Sequence, residues 1–178
     1  MIEISAWLTA ENVDRIKQMF RHSRRVGISF GLTSGVITTL GLMSGLNAST
    51  GSRTIVIGGI LTIAVADAFS DALGIHMSEE AESVHTPRQI WSASLATFFT
   101  KLLTALSFLV PVLLLPLKTA IFASIGWGLL ILIIFSYLLA KEQKRAPLGV
   151  ILEHLAVALT VLVLTNWFGN LIAKHFGR

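Results

Sequence analysis

Two aspartates four residues apart, Asp67 and Asp71, lie inside the apolar stretch IGGILTIAVADAFSDALGIHM. On a helix that spacing puts both carboxylates on one face. In lipid a carboxylate costs at least about 2.5 kcal/mol on insertion scales, so it faces a partner, a cavity or an ion path. Two carboxylates on one face offer hard oxygen ligands to a divalent cation, and as a pair they can share a proton, which allows protons to be exchanged for metal. The same face continues through Gly74 and Ser78 to Glu82, a polar stripe descending to the end of the helix. His76, Met77, Glu79, Glu80, Glu82 and His85 crowd that end, and imidazole, thioether and carboxylate together suit Fe²⁺ or Mn²⁺. The candidate metal ligands are therefore Asp67, Asp71, His76, Met77, Glu79, Glu80 and Glu82. Two plainer readings compete. Glu79, Glu80 and Glu82 can be a solvated helix end, and the aspartates can be paired structurally with Lys101, which lies deep in the third apolar segment and needs a charge partner there.

The elements that position these groups follow from composition. Of 178 residues 53% are hydrophobic and 13% charged, against about 25% charged in a soluble domain. A soluble core of this size cannot hide so much apolar surface, so lipid must be part of the solvent. Spanning segments of about 20 apolar residues fall near 26–48, 54–77, 91–116, 119–140 and 148–172. The fold class expected is an all-α membrane protein of five transmembrane helices, with residues 26–178 as one membrane domain. Pro111 and Pro116 should bend the outer half of the third helix.

Residues 1–25 read differently. Ile4, Trp7, Leu8, Val13, Ile16, Met19 and Phe20 recur at helical spacing between charged residues, the pattern of an amphipathic interfacial helix. Interrupted by charges, this segment lacks the apolar core of a cleavable signal peptide. A cytoplasmic N-terminus puts Arg15, Lys17, Arg21, Arg24, Arg25, Arg88, Lys141, Lys144 and Arg145 inside, and only Arg53, Lys118, Lys174 and Arg178 outside. The positive-inside rule therefore favours a multi-pass protein with its N-terminus in the cytoplasm and its C-terminus on the opposite side. The net charge of +4 is explained by these topology signals, and no nucleic-acid partner is expected. With no cysteine, disulfides and thiolate metal sites are excluded.

The first segment carries Gly27, Gly31 and Gly35 at intervals of four, the small-residue device that lets helix backbones approach closely. Its readings are a homodimer seam or a close contact beside a pore on one side and packing inside one chain on the other, the former being slightly preferred. Ser34 and Thr38 on that helix, with Thr39 and Ser44, either bond back to their own helix or line a polar path, and Ser34, Thr38 and Ser78 on the second helix are expected to line it. No Ser-His-Asp set, P-loop or HExxH occurs, so the protein is not expected to be an enzyme.

Three stretches resemble the vacuolar iron transporter family, whose members move Fe²⁺ or Mn²⁺ out of the cytosol in exchange for protons. SGVITTLGLMSGL resembles the family's hydroxyl-rich and small-residue first helix, IGGILTIAVADAFSDALGIHMSEEAES its second, and SFLVPVLLLP its proline-bearing third. The family's first-helix aspartate is replaced here by Ser34, and its second-helix methionine by Asp71. The long cytoplasmic metal-binding helices of some members shrink to SEEAESVHTPRQ. The resemblance implies a homodimeric, proton-coupled antiporter with Fe²⁺ or Mn²⁺ as substrate, no resident cofactor, and a path at the dimer interface lined by the first two helices. The alternative is a membrane scaffold or metal sensor that keeps the fold without transport; an ion channel is a third reading.

Overall fold

The computed structural model describes the backbone of residues 10–176 and the side chains from residue 21 onward. The side chains on which the amphipathic reading of residues 1–25 rests, Ile4 to Phe20, lie outside the described residues. The chain is all-helical: α1 (Ala10–Thr50), α2 (Arg53–Ala81), α3 (Pro87–Ser107), a short α4 (Leu109–Leu114), α5 (Leu117–Glu142) and α6 (Pro147–Phe176). Among the described residues five stretches are long and apolar enough to cross a membrane: Arg21–Thr50, Arg53–Ala81, Pro87–Leu114, Leu117–Glu142 and Pro147–Phe176. These match the five expected segments, and the chain fits a multi-pass membrane protein. Helix α1 continues without a break through residue 25, where the sequence suggests a boundary between an interfacial helix and the first span.

The distribution of side chains is that of a protein dissolved in lipid. Phe69, Leu73, Leu103, Phe122 and Val163 are exposed, while Ala64, Ala68, Ala93, Ser124 and Ser136 are buried. Small residues inside let helices approach closely, and large apolar ones outside face the hydrocarbon. Successive spans run up and down, with α1 central and packed chiefly on α3 and α6.

The glycines of α1 decide that arrangement. A Cβ on Gly27 would lie 2.2 Å from the Ala93 carbonyl oxygen, one on Gly31 2.6 Å from that of Thr97, and one on Gly35 3.1 Å from Thr104 Cβ. All three glycines are buried against α3 of the same chain. The preferred reading of them as a homodimer seam is thereby corrected. The spacing calls for a close neighbour, and the neighbour is intramolecular.

The connections are tight. Gly51 takes a φ of +58°, which glycine adopts without a Cβ clash, and Ser52 caps α2 by accepting from the Ile55 amide at 3.4 Å. Helix α3 starts with Pro87 behind Thr86, whose N–H donates to Gln89 Oε1 at 2.7 Å, one arm of a capping box. As the prolines imply, the third span breaks. Pro111 lacks the amide that would reach the Ser107 carbonyl, α3 ends at Ser107, and Leu115 is extended ahead of Pro116. The carbonyls freed at the end of α4 are collected by Arg53, whose Nε donates to Val112 O at 2.8 Å and whose Nη2 reaches Leu113 O and Leu115 O. Helix ends in lipid leave orphan carbonyls that must find donors. Arg53→Ala is therefore expected to destabilise the protein by about 1–2 kcal/mol, read as a lower midpoint in detergent-denaturant unfolding, whereas Arg53→Lys should lose part of this because an ammonium lacks the guanidinium's fork.

Candidate functional site

Asp67 is the midpoint of its span Arg53–Ala81, and Lys101 and Ser34 lie within two residues of the middle of theirs. Three helices thus deliver polar groups to one depth, halfway along the bundle. Lys101 Nζ sits 2.5 Å from Asp67 Oδ2, contacts Asp71 Oδ2, and donates to Ser34 Oγ at 2.7 Å. Ser34 Oγ donates in turn to Asp71 Oδ2 at 2.8 Å. The lysine is 1% exposed, while the side chains of Asp67 and Asp71 are 26% and 16% exposed. Asp71 is the inner carboxylate, bound by a hydroxyl and an ammonium. Asp67 is the outer one: its Oδ2 takes no directed hydrogen bond, only the ion contact.

The local sequence explains this placement. Asp67 and Asp71 share one face because they are a helical turn apart, and that face meets α3 and α1. Gly31 and Gly35 bring the α1 backbone against the backbone of Lys101 itself, with 3.2 Å from a Gly31 Cβ to Lys101 N and 3.3 Å from a Gly35 Cβ to Lys101 O. That proximity presents Ser34, between the two glycines, to the ammonium. With both carboxylates ionised the group sums to one negative charge. A lone lysine buried at this depth would be prohibitive, and breaking a buried ion pair by removing one partner costs about 3–5 kcal/mol. Asp67 opens into a shallow groove of about 620 Å³ between α1 and α2, walled by Leu42, Leu46, Thr62, Ala66 and Ser70.

The other expected ligands are elsewhere. Glu79 is buried and faces His85 in the α2–α3 turn, its Oε2 3.3 Å from Nδ1; Glu82 Oε2 is 3.8 Å from the same nitrogen. Eight residues separate Asp71 from Glu79, a rise of about 12 Å. His76 turns to α3, with Nδ1 3.2 Å from Ser94 Oγ and its ring edge-on to Trp91. Met77 is largely exposed, and so are Glu80 and Ser78. Among the described residues no three His, Asp or Glu side chains converge as a metal-holding group. The seven expected ligands therefore divide into separate places: each residue turns about 100° from the last on the helix, which takes His76, Met77, Glu79 and Glu80 off the site's face, and Glu82 lies about three turns beyond Asp71. Of the expected path residues, Ser34 belongs to the cluster. Thr38 donates back to the Ser34 carbonyl at 2.8 Å and borders an adjoining groove between α1 and α6.

His85, one of the groups that crowd the end of the second span in the sequence, is the partner of Glu79. Two features are not singled out from the sequence. Thr62 and Ser70, not Thr38, carry the hydroxyls of the Asp67 groove. His154 Nδ1 lies 2.7 Å from Ser136 Oγ between α5 and α6. Compared with protein-family models and with curated proteins, the chain matches none.

Proposed function

We propose that this protein is a divalent-metal transporter of the vacuolar iron transporter type, a homodimer that exports Fe²⁺ or Mn²⁺ from the cytoplasm against protons. The observation that carries this reading is the convergence of Asp67 and Asp71 at mid-span, with Asp67 open to a groove along α2. A carboxylate facing hydrocarbon is costly, and one facing a groove that a second copy could close is an ion site. Gly58, Thr62, Ala66, Ser70, Gly74 and Ser78 recur every fourth residue on the exposed side of α2. A Cβ on Gly58 or on Gly74 would meet nothing within 4 Å, so this face of α2, not the glycine run of α1, suits the seam between two copies. In such a dimer the two grooves face one another. The excess of arginine and lysine at the end bearing Arg21, Arg25, Lys141 and Arg145 supports a cytoplasmic N-terminus and an opposite C-terminus.

The direct test is purified protein in liposomes. Mn²⁺ or Fe²⁺ outside should accumulate within as protons leave, read as alkalinisation on an internal pH dye, and neither signal should appear in empty vesicles. A second reading, a scaffold or metal sensor, is favoured by a specific observation: Lys101 already occupies the space between the carboxylates. Binding of metal in calorimetry without transport would select the sensor, and no binding would select the scaffold. Large uncoupled currents in a planar bilayer would select a channel.

A further inference from the structure

The three protons of an ammonium need three acceptors. Lys101 donates to Ser34 and Asp71 and meets Asp67 by ion contact alone, so its partners come from two other helices. These are the same oxygens that the proposed function offers to a transported cation. A metal cannot hold both carboxylates while Nζ stands between them.

We propose that Lys101 is a tethered stand-in for the transported cation: its ammonium fills the site when no metal is bound, and metal binds by displacing it. This inference rests on the reading that Asp67 and Asp71 take a divalent cation, and adds what sets their affinity. A tethered competitor acts at a high effective concentration, in the millimolar range for short flexible tethers and above it for a side chain already in register. Free metal must overcome that competition, so the wild-type site is held to a weaker affinity than two bare carboxylates would have. The benefit is an empty carrier that does not leave two unpaired negative charges at mid-membrane. Exposure orders the exchange. Asp67, the more open carboxylate and the one on the groove, meets the cation first. Asp71, held by Ser34 as well as by Nζ, is released second. Because the backbones of α1 and α3 touch at Gly31 and Gly35, the displacement is a movement of the Lys101 side chain and not a separation of the helices.

Mn²⁺ titration by calorimetry of the full-length wild-type protein in detergent, with Lys101→Met and Lys101→Arg beside it, tests this. Lys101→Met keeps the length and packing of the stem and removes the competing charge, so Mn²⁺ should bind about tenfold tighter or more. Lys101→Arg places a guanidinium that grips both carboxylates through its fork, so Mn²⁺ should bind about tenfold more weakly or not at all. A merely structural lysine would make both variants weaker. Circular dichroism and size-exclusion profiles establish that each variant is folded, and if Lys101→Met does not fold, Lys101→Gln, which removes the charge but keeps a donor for the carboxylates, takes its place with the same expected tightening. Wild-type binding that is unchanged in Lys101→Arg, or no tighter in a folded Lys101→Met, overturns the stand-in role and leaves the transporter reading untouched. Absence of Mn²⁺ binding in all three proteins overturns both.

Discussion

Asp71→Asn is expected to reduce Mn²⁺ uptake into proteoliposomes by about two orders of magnitude or more, since oxygen sites for divalent ions are graded over several decades by their count of charged ligands. Asp71 Oδ2 accepts from Ser34 and from Lys101. An asparagine keeps one carbonyl oxygen for one of these donors and loses the charge. Its amide nitrogen is a second donor pointed into a space already crowded with donors. Lys101 would remain paired with Asp67, so the buried group becomes a neutral one-to-one pair. The helices should survive this change with a stability loss well below that of removing Lys101 alone, because no buried charge is left uncompensated. The measurement is therefore initial uptake rate at matched reconstitution, with unfolding midpoint as the companion. Ser34→Ala sharpens it: the hydroxyl orients Asp71 but carries no charge, so the rate should fall by about tenfold or less, in line with one lost hydrogen bond to a charged group. A wild-type rate in Asp71→Asn would remove Asp71 from the ion path and move the weight of the site to Asp67.

How far these groups can be read from sequence depends on whether their partner is near or far along the chain. The five spans were legible because length and apolarity are local properties. So was the break in the third span, because Pro111 denies its own helix an amide. Asp67 and Asp71 were legible as a pair for the same reason, one helical turn being a local fact. Lys101 was legible as a charge in need of a partner, and the aspartates were named for it; that one ammonium reaches both of them and Ser34 depends on three helices in register, which no local pattern encodes. The glycines of α1 illustrate the limit most sharply. Their spacing demands that some backbone come close, and α3 and a second copy satisfy that demand equally well until Ala93, Thr97 and Lys101 are seen against them. For the seven candidate metal ligands, neighbours in sequence are not neighbours in space. On a helix His76 and Met77 face away from Asp71, and Glu79, about two turns further along, is rotated off its face and meets His85.

Gly31→Val should be among the most destabilising substitutions in the transmembrane bundle outside the charged cluster, and the reason connects packing to the site. A Cβ there meets the Thr97 carbonyl oxygen at 2.6 Å and Thr100 Cβ at 3.2 Å. The first is backbone, which cannot rotate away, so α1 and α3 must part. Overpacking of this kind costs about 1–3 kcal/mol or more, and here the separation also draws Ser34 from Lys101 and loosens the ion contacts to α2. The expected outcome is a loss of about 3 kcal/mol or more, seen as a lower unfolding midpoint and a smaller monodisperse fraction in detergent. Gly58→Val is the matched control, since a Cβ at Gly58 meets nothing within 4 Å of its own chain. It should leave the unfolding of the single chain nearly unchanged. If two copies meet along α2, the same substitution should instead shift the protein from dimer to monomer in light scattering and lower transport with the fold intact. The two glycines then separate what holds one chain together from what joins it to another: position 31 reports on the first, position 58 on the second. A dimer that survives Gly58→Val, and also survives Gly74→Val further along the same face, would place the seam on a face other than α2 and leave the Asp67 groove open to lipid.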